Sequence, residues 1–347
     1  MTDMINFRSD NEGPVVEPIM QALIEANDGM AYAYGEDPST RQLKPAFSEL
    51  FEREVEVLPL ATGTAGNSAA LAEMTPPWGS IVCHELAHIY QDECGAPELF
   101  SGGARLVPLP GDDAKLQTQT VVDWLSLQGA HGVHNFEPAA LSLTQATEAG
   151  TLYRPDHIRA LAALAHEHGM HLHMDGARFA NAVAALEVAP ADLTWRAGVD
   201  ALTFGASKNG AMAAEALVVF GHPDWLPALE RRRKRAGHLL SKMRYVSAQL
   251  LAYVDDGLWL RLAAHGNTQA ARFAAAVEAD AAATLHWPTE ANEVFPAMEP
   301  ARLTALADAG FDFHRWPGHE GLARLVFAPT TTEASVTRLI KALQASG

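Results

Sequence analysis

From about residue 57 the sequence alternates short apolar runs with segments long enough to be helices, and no other feature restricts the fold as much. "VEVLPLATG", "SIVCHE", "ARLVPLP", "AALSLTQ", "MHLHMDG", "ALTFGAS" and "EALVVFG" read as strands. Between them "TAGNSAALAEMT", with Thr64 as a candidate N-cap, "QTVVDWLSLQ" and "RFANAVAAL" read as helices. So does "RPDHIRALAALAHEHG", begun near Pro155 and Asp156 and closed by Gly169. Strands alternating with crossover-length helices predict an α/β fold, a mostly parallel sheet with helices on both faces. Ligands of such sheets sit beyond the carboxyl ends of the strands.

The pattern changes further on. A basic helical stretch, "WLPALERRRKRAGHLLSKMR", reads as a connector over about 225–253. Its "RRRKR" run, Arg231 to Arg235, is either a solvated helix face or a place where one member reaches an anion. An Ala-rich helix (Asn267 to Ala283), a strand-like "EVFPAM", the helix "PARLTALADAG", a strand "GLARLVFA" and a final helix "TTEASVTRLIKALQ" follow. The chain of 347 residues therefore divides into a large unit, 1–250 with the N-terminal segment included, and a small α+β unit, 251–347.

Charge and composition narrow the partners. A formal charge of −17 repels nucleic acid and anionic membranes. No uninterrupted run of about 18 apolar residues is present, so no membrane span is expected. The N-terminus "MTDMINFRSDNEGP" has no signal-peptide pattern. Cys83 and Cys94 form neither a CxxC pair nor zinc-ligand spacing, which fits a reduced, cytoplasmic chain without a metal.

Chemistry concentrates in a few stretches. The chain has six lysines, and Lys208 alone follows an apolar strand and is flanked by Ser207, Asn209 and Gly210. It reads as a Schiff-base lysine with room for a bulky cofactor, or as a surface lysine in a turn. Asp175 ends a strand beside Gly176, where a carboxylate either keeps a pyridine nitrogen protonated or caps the helix "ARFANA". His171 and His173 share its strand face and read as packed or hydrogen-bonded residues. "ATGTAGN" places Gly63 and Thr64 between a strand and a helix, a place for a phosphate. His88, in "CHELAHIYQDECG", could stack on a flat ring, act as a base or cap its loop, and His84 lies nearby. Arg178 and Arg324 are candidate binders of a carboxylate.

Taken in order, these motifs resemble the threonine aldolases, pyridoxal-phosphate enzymes of the aspartate-aminotransferase-like fold. The resemblance runs from "FRSDN" and "YGEDPS" through "ATGTAGN", "HELAHIYQDECG", "HMDGARFANA", "FGASKNG" and "SKMRY" to "ARLV". It implies that Lys208 forms the Schiff base with pyridoxal 5'-phosphate and Asp175 pairs with the ring nitrogen. By the same resemblance Gly63 and Thr64 cradle the phosphate and His88 stacks on the ring. Ser9, Arg178 and Arg324 hold the substrate carboxylate, with Arg178 also beside the cofactor. Tyr34, and a group from the Arg235 to Arg244 region, reach a neighbouring subunit's site, since the family works as dimers or tetramers. Many members carry a second active-site histidine where this chain reads "LTQATEAG", Leu143 to Gly150. Its step falls here to His88, a water or Asp92.

The resemblance implies a low-specificity L-threonine aldolase that cleaves L-β-hydroxy-α-amino acids, such as threonine, allo-threonine or phenylserine, to glycine and an aldehyde. The alternatives are another activity of this fold, a β-eliminating lyase or an aminotransferase, or a silent binding protein.

Overall fold

The computed structural model describes residues 4–346. The first half of the chain forms β1 (Ile5–Asn6), α1 (Glu17–Ala26), α2 (Pro38–Leu50), β2 (Glu56–Leu60), α3 (Gly63–Met74), β3 (Gly79–His84), α4 (His88–Gln91), α5 (Ala96–Ser101), β4 (Arg105–Leu109), α6 (Thr118–Ser126) and β5 (Glu137–Thr144). Then come α7 (Pro155–Glu167), β6 (His171–Gly176), α8 (Phe179–Leu186), β7 (Ala201–Gly205), β8 (Glu215–Val219), α9 (Leu226–Arg235), α10 (Arg244–Val254) and α11 (Leu258–Glu278). The chain ends with β9 (Ala283–Leu285), β10 (Glu293–Val294), β11 (Pro296–Met298), α12 (Pro300–Asp308), β12 (Phe311–Asp312), β13 (His314–Arg315), β14 (Ala323–Val326) and α13 (Glu333–Ala345).

The expected α/β architecture is present. A seven-stranded sheet has the order β2-β8-β7-β6-β5-β3-β4. β7, β6, β5, β3 and β4 run parallel, and β8 is antiparallel to both its neighbours. The inner strands are largely buried on both faces, β7 and β8 throughout, as strands covered by helices must be. The path turns one way from β3 to β4 and the other from β5 to β6, so the β3/β5 boundary is where a crevice opens at the carboxyl ends.

Three local expectations change. The cap of α3 is Thr62, not Thr64: its side chain accepts the Ala65 N–H at 3.3 Å, and Thr64 sits in the first turn. The basic stretch is two helices, because the chain between α9 and α10 passes through Gly237 at φ 78°, a left-handed conformation that suits glycine. The Ala-rich helix begins at Leu258 and ends at Glu278, since its first turns pack on the large unit as α8·α11 contacts.

Two kinds of core result. One surrounds the large sheet, with Phe47, Phe51, Phe179, Phe204 and Trp259 among its buried rings. Another joins Phe273, Leu303, Phe327 and Leu339. Phe7 belongs to this second core and β1 pairs with β12, so the first strand of the chain, expected with the large unit, packs with the C-terminal elements.

Candidate active site

A cavity of about 610 Å³ opens at the carboxyl ends of the parallel strands. It collects Gly63, Thr64 and Asn67 from α3, His88 and Asp92 from the segment after β3, and Glu148 from the loop after β5. Asp175 enters from β6, Lys208 from the turn after β7, and Ser9 and Arg324 from the two ends of the chain.

The floor is built around Asp175, which is buried. Its Oδ2 accepts from Asn67 Nδ2 at 2.8 Å and its Oδ1 from the Ala177 N–H at 3.0 Å. Thus Asp175 does make the local turn contact that a capping residue would, while its other oxygen faces the α3 side. Asn67 also donates to Glu93 Oε1 at 2.9 Å, and His88 Nδ1 lies 3.0 Å from that same oxygen. One amide therefore fixes the carboxylate and, through Glu93, the imidazole. The Glu93 contact raises the His88 pKa above the usual value, aided by the charge of Asp175, despite burial. Helix α3 lies tight on the sheet here. A Cβ on Gly66 would meet Thr203 Cγ2 at 2.7 Å.

Lys208 sits in a single 3-10 turn, Ser207–Asn209. Its neighbours are anchors as well as small. Asn209 donates to Tyr253 Oη at 2.7 Å and to the Trp259 carbonyl at 2.8 Å, and the Ser207 N–H donates to Glu215 Oε1 at 3.3 Å. Gly210, at φ 101°, closes the turn where a side chain would be strained. Burial pushes the Glu215 carboxyl up to about 7.

The two candidate arginines differ. Arg178 is already paired, donating through Nε at 2.7 Å and Nη2 at 3.0 Å to the two oxygens of Asp10, with Glu293 Oε2 at 3.3 Å from Nη1. Burial would raise Asp10, but the Arg178 charge beside it carries its carboxyl below the ordinary value. Arg324 donates one bond, from Nη2 to the Arg8 carbonyl at 3.3 Å, and its buried Nε has no partner. Ser9 lines the cavity while its hydroxyl accepts the Asn11 N–H at 3.1 Å.

Tyr34 does not join this cavity. It is exposed, at φ 58°, with the Lys234 ammonium 4.8 Å from its ring centroid. Arg244 bonds the Gly29 carbonyl at 3.0 Å. Asn67, Asp10, Glu215 and Glu293 escaped the sequence reading because each is one polar residue inside an ordinary element, and Glu93 because it is one acid in the short link between α4 and α5. Glu148 had a visible signal, its place in the loop after a strand end. Its Oε1 accepts the His88 N–H at 2.7 Å, and burial pushes its carboxyl up to about 7.

Fold and cavity first define a class, the fold type I architecture, with a lysine beyond one central strand and a carboxylate at the end of the next. The sequence profile of the beta-eliminating lyase family matches residues 6–300. A low specificity L-threonine aldolase of a Pseudomonas species is 40% identical, over 99% of either chain. One of Pseudomonas aeruginosa is 41% identical over 98% of each. The solved threonine aldolase of Leishmania major superposes with a TM-score of 0.91 at 28% identity, covering 98% of this chain and 99% of that one. The chain belongs to the beta-eliminating lyase family and, within it, to the threonine aldolases.

Proposed function

We propose that the protein is a pyridoxal-phosphate-dependent aldehyde-lyase that cleaves L-threonine and related L-β-hydroxy-α-amino acids to glycine and an aldehyde. The observation that carries this reading is the convergence of Lys208, Asp175 and the first turn of α3 on one cavity.

The donor set fits the cofactor. The first N–H groups of a helix have no intrahelical partner and attract anions, and Gly63 leaves that end open: a Cβ there would meet nothing within 4 Å. Gly63 and Thr64 would hold the phosphate, Asp175 the ring nitrogen, His88 one ring face, and Lys208 the carbonyl carbon. When bound, pyridoxal phosphate supplies an electron-poor ring that takes up the electron pair left at Cα when the Cα–Cβ bond breaks.

The chain's own groups do the rest. Arg324, with its free Nε, binds the substrate carboxylate, and Ser9 lies on the same wall. Arg178, on that same wall, pairs with Asp10 and Glu293. His88, made more basic by Glu93, takes the β-hydroxyl proton, with Asp92 and Glu148 on the same side. An adjoining cavity of about 460 Å³ shares Asp92, Glu148 and Arg324 and gives room to varied β-substituents. The exposed Met30, Tyr32 and Tyr34 support a homo-oligomer, dimer or tetramer, in which this segment faces a second subunit. The same reading makes the enzyme cytoplasmic; no helix among the described residues is long and apolar enough to cross a membrane.

The test is direct. Purified protein with pyridoxal phosphate should show visible absorbance that borohydride removes, and threonine should yield glycine and acetaldehyde. Ammonia and a keto acid instead would assign an eliminating lyase or a transaminase, and no cofactor uptake would make it a silent binding protein.

A further inference from the structure

A second polar cluster lies at the opposite end of the same sheet. Asp200 immediately precedes β7, His171 opens β6, and His222 follows the end of β8. His222 Nε2 is 3.1 Å from Asp200 Oδ1, and His171 Nδ1 is 3.7 Å from Oδ2. One nitrogen from each ring and a carboxylate oxygen all lie within 4.8 Å of one another. Ligands at zinc distances in a tetrahedral site stand about 3.3–3.5 Å apart; the 3.1 Å and 3.7 Å separations, each to a different oxygen of Asp200, lie close to that spacing.

The cluster is held before any ion arrives. The His222 ring stacks on Trp225 with centroids 4.1 Å apart at 8°, and His171 meets the same indole edge-on at 4.9 Å. Trp225 is itself buried. Asp200 is fixed by the Leu172 N–H, 2.7 Å from Oδ2, and by His166 Nε2 at 3.0 Å. The rings of His171 and His222 remain about a third exposed, with side chains at 35% and 30%, so an ion can enter from solvent.

We propose that His171, His222 and Asp200 bind a first-row divalent metal ion of the zinc type, with water completing its coordination and His166 orienting the carboxylate from outside. Imidazole and carboxylate ligands suit this class of ion, and a carboxylate hydrogen-bonded on its outer side is how such ligands are usually aimed. No zinc-ligand spacing shows in the sequence because the three ligands come from three separate strand ends. The ion ties together the ends of β6, β7 and β8. At its other end β6 carries Asp175, and the chain leaving β7 carries Lys208. The site is thus a clamp on the strands that set the catalytic groups.

The test uses cofactor-loaded enzyme, freed of metal with a chelator and titrated with zinc chloride or cobalt chloride. One zinc ion per chain is expected, and Co²⁺ should give the visible bands of a low-coordinate nitrogen and oxygen site. His171→Asn and His222→Asn should each weaken zinc on the order of a hundredfold while aldol cleavage persists. X-ray absorption of the zinc-loaded wild type, which needs no variant to fold, should show two imidazoles per zinc. The His88–Glu93–Asp175 group of the catalytic cavity offers one imidazole. No saturable binding below about 100 µM (a free energy near −5.5 kcal/mol), unchanged affinity in both variants, or fewer than two imidazoles per zinc would overturn the assignment.

Discussion

Arg178 grips Asp10 through two hydrogen bonds, 2.7 Å from Nε and 3.0 Å from Nη2, and this pairing separates the two arginines of the cavity. A guanidinium already satisfied by Asp10 and Glu293 shapes the wall. Arg324 keeps an unpartnered Nε for a ligand. Arg324→Leu should therefore raise the KM for threonine strongly and leave cofactor affinity nearly intact. Losing a bidentate carboxylate contact costs roughly 2–5 kcal/mol. Kinetics alongside a cofactor titration check it; loss of cofactor with unchanged KM would make Arg324 a phosphate ligand. Arg178→Leu should instead lower thermal stability, because it strands two buried carboxylates.

Lys208→Ala should abolish the absorbance of the bound cofactor and essentially all turnover. The Asn209 and Ser207 anchors remain, so the fold should persist by circular dichroism. Substantial cleavage in this variant would refute the cofactor assignment.

Asp175→Asn keeps a group able to face Asn67 but loses the charge that holds a protonated ring nitrogen. Breaking a charge-assisted contact costs a few kcal/mol, so the rate should fall about a hundredfold or more. A near-normal kcat would show that another group tunes the ring.

His88→Phe keeps a flat face and removes the base. If His88 takes the β-hydroxyl proton, kcat should drop about 10²- to 10⁴-fold with cofactor affinity largely preserved. A Phe variant within about tenfold of wild type, together with an inactive Asp92→Asn, would assign the proton to Asp92.

Glu148 has a folded pKa of about 7 against an ordinary 4.5, so its carboxyl is neutral below that pH and charged above it. Should the charged form assist proton removal, kcat/KM should rise with pH through about 7, and Glu148→Gln should erase that limb; a limb that persists would belong to His88. The stability sign is opposite. A raised carboxyl pKa stabilises the fold fully below the unfolded value, and that contribution is lost as pH rises through the folded value. Glu148→Gln should therefore raise Tm relative to wild type at about pH 8 and not at about pH 4.

The sequence by itself determined the α/β class, the strand–helix order and the motifs carrying Gly63, Lys208, Asp175 and His88, because alternation of apolar runs and loop composition are local properties. Its error at Thr64 is local, a cap displaced by two residues, while the early start of α11 comes from packing on α8, which the sequence pattern does not show. Only the tertiary structure decided that Asn67 joins Asp175 to Glu93 and His88, that Asp10 occupies Arg178 while Arg324 stays free, and that β1 packs with the C-terminal core. It alone brought His171, Asp200 and His222 together. Each of these depends on side chains from distant segments meeting at a strand end, and strand order in a sheet is not written in the spacing of residues along the chain.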